Sequence, residues 1–391
     1  MGLSVTIDAF RLVTEPFTSN AIYVSELVKS QSVLDEFNKV YLLVPRKPGY
    51  DFIYNDLLHL KNVEFIWPNS DVFPERTFGS QVYWIQWVIP HLVRRRIGST
   101  HYYVAPYHHP PLLLPRKLRV VTVIHDLCGL RADCGYGKTK KGYYRHLFMF
   151  VMASIRSDLL IPISEYTRSQ LKRTFPFLGP RIANVVYNGV SGDTVSDTMV
   201  NETLRRYNVY QNKYFIAFGA PGKRKGLDLI LGGYKLYRNR GGQASLVLIV
   251  ANDARARVRQ SCEAEGLTDV VMVSHITASE RDALYRGALS LLFPSRCEGL
   301  GYPLIEAMRQ GCPPIAWRNG PASEIVDSVI PLLRNLDKAE IADHMFTCAN
   351  VSPDMRLTLA DRLIKRSYNF QGDRFGRGFV EAMKGLSVRR Q

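Results

Sequence analysis

The sequence predicts an α/β fold in which two domains each carry a doubly wound parallel sheet. A chain of 391 residues is long enough for two domains. In both halves, short apolar runs of strand length alternate with longer amphipathic stretches. That alternation is typical of βαβ units, whose strands run parallel and whose helices cover both faces of the sheet.

The first half contains four strand-like runs with helical stretches between them. The runs are Val5–Ile7, Val40–Val44, Val63–Ile66 and Val120–Ile124, and a helix is expected over 21–30. Ser164 follows another apolar run and can cap a helix over 165–174 through its hydroxyl. Ligands bind such sheets at the carboxyl ends of the strands.

The second half repeats the pattern. Its predicted strands are Tyr214–Gly219, Ser245–Ala251, Val270–Val273 and Ala288–Phe293. Helices are expected over 227–238, 258–266, 279–285 (with Ser279 as the cap), 338–349 and 355–384, the last broken near 369–378. We therefore predict a first domain over 1–190, a polar linker over 191–202, a second domain over 203–365 and a helical segment over 366–391.

Composition narrows the class of protein. With 46% hydrophobic and 22% charged residues the chain is an ordinary globular protein. The six cysteines lack any tight paired spacing, which argues against a disulfide framework or a zinc site and favours a reducing compartment. The start of the sequence lacks a signal-peptide pattern, and no apolar run reaches membrane-spanning length. We expect a cytoplasmic protein.

The formal net charge of +16 predicts an anionic partner. Between Leu92 and His146, eleven Lys and Arg residues face two Asp residues, which gives +9 (11 − 2), and aromatic residues lie among them. Basic clusters beside aromatic residues suit an anionic lipid surface, so we expect peripheral attachment to the inner face of the cell membrane. A solvated face with no partner explains the same composition equally well.

The organising stretch is 288–311, which reads as strand, glycine loop and helix. Pro303 suits the first turn of a helix, and Gly311 can close it. Gly299 and Gly301 let the backbone approach a ligand closely. Such a helix N-terminus favours an anion.

Charged side chains flank this predicted anion site. Glu298 lies in the loop and Glu306 in the first turns of the helix, and their carboxylates could accept hydrogen bonds from sugar hydroxyls or could merely be solvated. Arg224 and Lys225 lie in another strand-to-helix turn, where cations oppose the helix dipole unless an anion lies between them. A diphosphate would supply that anion.

Residues 298–315, Glu-Gly-Leu-Gly-Tyr-Pro-Leu-Ile-Glu-Ala-Met-Arg-Gln-Gly-Cys-Pro-Pro-Ile, resemble the donor-binding signature of family 4 glycosyltransferases. In that family a glutamate, seven residues and a second glutamate face a nucleotide-sugar. Residues 320–326 resemble the family's next loop, and Ile124–Leu127 resembles its His-Asp-Leu segment. Two departures are Ala220, where many members have Arg, and Thr18-Ser19-Asn20, where many have a double glycine; these polar side chains are expected to cap the following helix.

The resemblance implies a retaining, metal-independent enzyme of the GT-B fold, two facing Rossmann-like domains with a cleft, in which the last helix returns to the first domain. Arg224 and Lys225 would neutralise the leaving diphosphate together with the helix N-terminus at Leu304, and Glu298 would orient the sugar. Glu306 would bind the ribose, and His125 would close over the sugar with Asp126 positioning it. Gly219, Gly301 and Ile305 complete the implied donor-binding set.

The implied function is transfer of a hexose from a nucleotide-diphosphate sugar to a glycan or lipid-linked acceptor in surface polysaccharide synthesis, without a cofactor. Similarity to bacterial mannosyltransferases of O-antigen and capsule assembly makes GDP-mannose the first candidate; UDP-glucose, UDP-N-acetylglucosamine and dTDP-rhamnose stay open. The alternatives are a GT-B epimerase or phosphorylase-like enzyme, a non-catalytic nucleotide-sugar binder, and a nucleic-acid-binding protein. For the last the sequence offers no motif, and we expect no nucleic-acid partner.

Overall fold

A computed structural model describes residues 2–16, 18–49, 52–69, 81–97, 100–131 and 140–388. The contacts divide the chain into two compact units. The first comprises residues 1–127, 141–191 and 370–391, and the second comprises 128–140 and 192–369. The stretch predicted as a linker, 191–202, contains the first turns of a helix that begins at Asp197.

The described residues form eleven β-strands and sixteen α-helices. The strands are β1 (Ser4–Asp8), β2 (Lys39–Leu43), β3 (Val63–Ile66), β4 (Tyr102–Ala105), β5 (Arg119–Ile124), β6 (Leu159–Pro162), β7 (Tyr214–Phe218), β8 (Ser245–Ile249), β9 (Val270–Val273), β10 (Ser290–Phe293) and β11 (Pro314–Ala316). The helices are α1 (Phe10–Thr14), α2 (Ser19–Lys29), α3 (Gln31–Glu36), α4 (Gln81–Tyr83), α5 (Ile89–Leu92), α6 (Lys140–Arg156), α7 (Glu165–Thr174), α8 (Asp197–Arg206), α9 (Leu227–Asn239), α10 (Arg255–Ala264), α11 (Ala278–Gly287), α12 (Tyr302–Arg309), α13 (Ala322–Val326), α14 (Lys338–Ala349), α15 (Pro353–Ser367) and α16 (Gly372–Val388).

The first unit is built on a six-stranded parallel sheet with the strand order β3-β2-β1-β4-β5-β6. The direction of winding reverses between β1 and β4, so their carboxyl ends flank the crevice where such sheets hold ligands. One core of this unit lies between the sheet and the helical run 81–97, where Trp84 and Val88 are buried with Tyr103 and Val120.

The second unit has a five-stranded parallel sheet with the order β11-β10-β7-β8-β9. Here the winding reverses between β7 and β10, which are paired directly through Leu292 and Ala217. The core packs α9 and α14 against the strands, and Tyr234, Leu246 and Met345 in it are fully buried. Two parallel sheets with helices between successive strands confirm the predicted pair of Rossmann-like domains.

Most of the predicted elements are present, and the differences have local causes. Ser164 caps α7 and Thr18 caps α2 through their hydroxyls, as predicted. Ser279 was the wrong cap for α11, because Thr277 and Glu280 form a reciprocal capping box two residues earlier. Strands β4 and β11 were not predicted. β11 contains only three residues, and β4 lies within the basic stretch 92–146, which was interpreted as a charged surface.

The expectation that no disulfide forms was wrong, because Cys128 and Cys297 are bonded in the second unit. They are separated by 169 residues, so no local spacing in the sequence indicated the pair. Among the described cysteines, Cys262, Cys312 and Cys348 are free. A search of the described helices finds none that combines the length and apolarity needed to cross a bilayer.

Candidate active site

The first component of the site is the turn between β7 and α9, which carries Arg224 and Lys225. The turn ends at Gly226, whose backbone is left-handed with φ of 71°. A Cβ atom at this position would lie 2.5 Å from the carbonyl oxygen of Pro294. Only glycine therefore lets this turn approach the loop that follows β10 so closely.

The second component is the loop between β10 and α12. It ends at Gly301, which is also left-handed with φ of 95° and precedes the first turn of α12. Because β7 and β10 are adjacent at the reversal of the winding, both loops leave the carboxyl edge of the sheet side by side. This is the position at which doubly wound sheets bind nucleotides and other ligands.

The helices α9 and α12 begin in the same way. Neither has a side chain that caps its N-terminus, and each begins instead at a glycine. Side-chain caps occur at six other helices, from Thr18, Ser164, Ser196, Thr277, Asp337 and Ser352. The first turn of α9 contains Asp228, whereas that of α12 contains no acidic side chain, so the positive end of α12 in particular favours an anion.

Glu298 joins the two loops through its carboxylate. Its Oε1 atom accepts hydrogen bonds from Nζ of Lys225 at 2.6 Å and from the Ser295 hydroxyl at 2.6 Å. Nη1 of Arg224 lies 3.5 Å from the same oxygen. Among the residues that the structure describes, Oε2 of Glu298 has no hydrogen-bond partner, so this oxygen can still accept a hydrogen bond from a ligand hydroxyl.

The electrostatics of this cluster keep Glu298 charged. Burial raises the pKa of its carboxyl, but Lys225 and Arg224, together with the hydrogen bonds from Lys225 and Ser295, hold the pKa below its ordinary value. One carboxylate faces two cations, so the cluster retains a positive charge. An anionic ligand would complete its charge balance.

Arg296 fastens the cationic turn to the loop, and the sequence analysis did not predict this. Its guanidinium binds Asp228 in the first turn of α9 through two hydrogen bonds of 2.9 and 2.8 Å. The same side chain donates to the carbonyl of Lys223 at 2.6 Å, and its backbone N–H donates to that of Arg224 at 2.8 Å. Glu298 belongs to a recognisable motif in the sequence. Arg296, which precedes Cys297, belongs to none, so its role was not predicted.

Glu306 lies in α12 but has other partners than Glu298. It is 5% exposed, and its Oε1 lies 3.1 Å from Nη1 of Arg281. Arg281 also pairs with Asp282, which in turn binds Arg309 at 2.7 Å. Burial raises the pKa of Glu306, and Arg281 counteracts this. The predicted contact with a ribose stays a prediction.

The remaining predicted residues of this unit are Leu304, Ile305 and Gly219, and their roles toward a donor stay predictions. The side chains of Leu304 and Ile305 are buried, and the backbone N–H of Leu304 already donates to the carbonyl of Gly301 at 2.9 Å. Gly219 directly follows β7, and a Cβ atom there would lie 2.7 Å from Cγ2 of Val250. Its small size is therefore required by packing against the end of β8.

His125 belongs to the first unit and follows the carboxyl end of β5. Its Nε2 lies 2.7 Å from the carbonyl oxygen of Pro106, so the proton resides on Nε2 and Nδ1 can accept. Burial lowers the pKa of the ring to about 4, with Arg11 adding to this and the Pro106 contact opposing it. The imidazole is neutral near neutral pH.

Two further polar groups at the switch point of the first sheet escaped the sequence analysis. Asp8 ends β1 and accepts hydrogen bonds from Nε1 of Trp84 at 2.9 Å and from the backbone of Phe10 at 3.1 Å; burial nevertheless raises its pKa to about 6. Tyr107 follows β4, and its hydroxyl accepts from the backbone N–H of Arg11. Because β4 was not predicted, Tyr107 could not be placed at a strand end.

The structure thus brings Arg224, Lys225 and Glu298 together at one switch point, with Gly301 at the start of the adjoining helix. Glu306 lies farther along that helix in a separate ion-pair network. Within the described ranges, no group of three His, Cys, Asp or Glu side chains is arranged to hold a metal ion.

A family of known proteins matches the part of the chain that contains these residues. Residues 201–330 match the sequence model of the family described as glycosyl transferases group 1. That range contains the cationic turn, the loop that follows β10, and the helix α12.

Two relatives with assigned names have similar sequences. One is O-antigen chain mannosyltransferase B of Escherichia coli, 23% identical over 228 residues, which cover 56% of this chain and 58% of the relative. The other is O-antigen chain mannosyltransferase RfbU of Salmonella typhimurium, 24% identical over 222 residues, which cover 56% and 57%. The chain therefore spans little more than half the length of these relatives.

Solved structures with the same fold cover nearly the whole chain. The Anabaena protein HepE, in complex with UDP and glucose, superposes with a TM-score of 0.71 at 15% identity and covers 98% of this chain and 100% of its own. Sucrose-phosphate synthase from Thermosynechococcus elongatus superposes with a TM-score of 0.73 at 14% identity, covering 99% and 100%. Together, the two parallel Rossmann-like sheets, the fold shared with these structures and the match over 201–330 support the resemblance to family 4 glycosyltransferases of the GT-B fold.

Proposed function

We propose that this protein transfers a hexose from a nucleotide-diphosphate sugar to a glycan or lipid-linked acceptor. The observation that carries the proposal is the meeting of Arg224, Lys225 and Glu298 beside two glycine-capped helices at the switch point of the second sheet. The two cations and the helix dipoles suit a diphosphate, and the open oxygen of Glu298 suits a sugar hydroxyl.

In this proposal the chain lowers the reaction barrier mainly by electrostatics. Negative charge grows on the diphosphate as the sugar leaves, and Arg224 and Lys225 are positioned to neutralise it without a metal ion. Arg296 would keep the turn in place, since it binds both Asp228 and the carbonyl of Lys223. The neutral ring of His125 would contribute a hydrogen bond to the sugar rather than a charge.

The acceptor's attack would occur on the same face from which the diphosphate leaves, which retains the anomeric configuration. The departing phosphate oxygen would accept the proton of the acceptor hydroxyl, so the reaction requires no separate base. During this step the carboxylate of Glu298 would hold the sugar by accepting hydrogen bonds from the sugar hydroxyls.

Mannose from GDP-mannose is the first candidate donor, because the named relatives are mannosyltransferases of O-antigen chains. A UDP-hexose is the second, because HepE has been solved with UDP-glucose. Surface polysaccharide is the proposed product, and the basic first unit favours an acceptor presented at an anionic membrane surface.

The test begins with thermal unfolding in the presence of GDP, UDP, GDP-mannose and UDP-glucose. A ligand at one hundred times its dissociation constant should stabilise the fold by about 2.7 kcal/mol. The stabilising donor is then incubated with and without acceptor glycans, and release of nucleoside diphosphate is measured. Acceptor-dependent release supports transfer, whereas no stabilisation by any nucleotide would contradict the proposal.

A further inference from the structure

The first unit contains a large basic cavity that the donor chemistry does not use. Its volume is about 1240 Å³. Arg116, which precedes β5, and Asp158, which precedes β6, both line it. The cavity therefore lies at the amino edge of the first sheet, whereas His125 lies at the carboxyl edge.

The lining is strongly cationic. Six cationic and two acidic side chains border the cavity: Arg94, Arg116, Arg156, Arg168, Lys172 and Arg181 against Asp158 and Glu381. Asp158 already accepts a hydrogen bond from the backbone N–H of Val120 at 2.9 Å. Arg168 is also paired with Glu165 outside the lining at 3.4 Å, so the lining charge of +4 (6 − 2) falls to +3 when this pair is counted, and an anion would still be attracted into the cavity.

Several of these cations are held in place by neutral groups. Nη2 of Arg94 donates to the carbonyl of Leu113 at 2.9 Å, and Nη1 of Arg181 donates to that of Ser154 at 2.7 Å. A carbonyl orients a guanidinium without cancelling its charge, which leaves other N–H groups for a ligand. Within the described part of the chain, Arg116 and Lys172 have neither an ion-pair nor a hydrogen-bond partner.

The rim of the cavity is apolar. Leu113 and Ile155 line it and remain 53% and 65% exposed. A separate shallow pocket shares Arg94 and Leu113 and includes Trp87, which is 59% exposed. Cations that surround a recess and apolar side chains at its edge suit an amphiphile with a phosphate headgroup better than a uniformly polar ligand.

We propose that this cavity is a second anion site, which binds a phosphate or diphosphate group. Arg and Lys around a concave recess are the groups that recognise phosphate oxygens in proteins. The phosphate could belong to the headgroup of a lipid or to a free phosphorylated compound, and the apolar rim favours the lipid. Binding at this cavity can be measured without turnover, so its test does not depend on the proposed transfer reaction.

The experiment compares two double variants of the full chain. Arg116→Ala with Lys172→Ala removes the two unpartnered cations of the cavity, both of which are exposed. Lys61→Ala with Arg173→Ala removes the same charge from exposed positions of the first unit that do not line the cavity. Both pairs leave the donor site unchanged, so the difference between them reports on the cavity alone.

The first arm is calorimetric titration with inorganic pyrophosphate. We expect binding at the cavity to weaken at least about tenfold in the first variant and to be retained in the second, since each cation contributes appreciably. Equal pyrophosphate binding in both variants would overturn the proposal, because the effect would then reflect net charge or the donor site.

The second arm is co-sedimentation with vesicles of phosphatidylcholine alone or mixed with phosphatidylglycerol. If only the Arg116→Ala, Lys172→Ala variant loses binding both to the mixed vesicles and to pyrophosphate, the site is assigned to a lipid headgroup. Loss of pyrophosphate binding alone supports the site with a free phosphorylated ligand. Loss of vesicle binding without loss of pyrophosphate binding contradicts a phosphate site, because only surface charge would then be involved.

Discussion

The ammonium group of Lys225 lies 2.6 Å from Oε1 of Glu298, and this pair links the two loops that leave β7 and β10. The lysine also lies 5.4 Å from the ring centre of Phe293, the last residue of β10. Both side chains are largely buried, so each holds the other in position, and the lysine keeps the pKa of the Glu298 carboxyl below its ordinary value. The pair orients one cation toward a diphosphate and one carboxylate toward a sugar in the proposed function.

Replacing Lys225 by alanine should reduce turnover at least about tenfold, because single donors to a developing charge are worth roughly 3–4 kcal/mol. The measurement is kcat with the donor identified by thermal unfolding. Lys235→Ala is the control, since Lys235 lies on the following helix in an exposed ion pair with Glu265. Turnover near that of the unmodified protein in Lys225→Ala would remove this residue from the proposed chemistry.

Asp228→Asn tests whether Arg296 positions the cationic turn. Burial raises the pKa of Asp228, but Arg296 lowers it below its ordinary value, so the carboxyl is charged at neutral pH. Loss of that charge should loosen the turn and weaken binding of the nucleoside diphosphate severalfold, with a smaller effect on the melting temperature of the free protein. Asp343→Asn, which removes an exposed partner of Arg240, should leave nucleotide affinity unchanged. Equal affinities in all three proteins would refute the positioning role.

The sequence indicated the cationic turn and the loop before α12 better than the contacts that hold them, because the signals of these two segments are local. Glycine, proline and charged residues at fixed spacing define the loop before α12, and Arg224 and Lys225 are adjacent in the chain. The contacts of Arg296 with Asp228 and of Glu306 with Arg281 join residues far apart in sequence, and only the paired strands bring them together. The same holds for Tyr107, whose contact with the backbone of Arg11 joins residues 96 positions apart.

The buried ring of His125 should make stability depend on pH. Its folded-state pKa of about 4 lies below the ordinary 6.5, so the unfolded chain binds more protons in that interval and the fold loses stability as pH falls through it. From about pH 7 to about pH 5 the loss attributable to this ring is about 2 kcal/mol. His108 adds to the loss, whereas Asp8, whose pKa is raised, opposes it below about pH 6.

Urea unfolding of the unmodified protein and of His125→Gln at the two pH values isolates this contribution. Glutamine does not titrate, so the variant should lose about 2 kcal/mol less between the two conditions. An identical pH dependence in both proteins would show that the ring is not held neutral by burial.

The disulfide between Cys128 and Cys297 should contribute to the stability of the second unit. It closes a long loop, and removal of such a bond typically costs about 2–5 kcal/mol. Peptide mapping without reductant should recover the linked pair, and Cys128→Ser should unfold at lower urea concentration than the oxidised protein. Cys348→Ser is the matched control, because Cys348 is a free cysteine. Recovery of Cys128 and Cys297 only as separate thiols would contradict the bond.

Glu306 poses the sharpest question, because its burial permits two roles that a simple loss of activity cannot separate. Glu306→Ala leaves the half-buried Arg281 with Asp282 as its remaining carboxylate. Breaking a fully buried pair costs about 3–5 kcal/mol, so part of any lost activity could reflect lost structure. Glu306→Gln keeps the shape of the side chain and is the better variant. If Glu306 accepts a hydrogen bond from the ribose 2′-hydroxyl, the unmodified protein should bind a nucleoside diphosphate more tightly than its 2′-deoxy counterpart. Glu306→Gln should then reduce that preference. A preference unchanged in Glu306→Gln, with a lowered melting temperature, would assign the carboxylate to the Arg281 network instead.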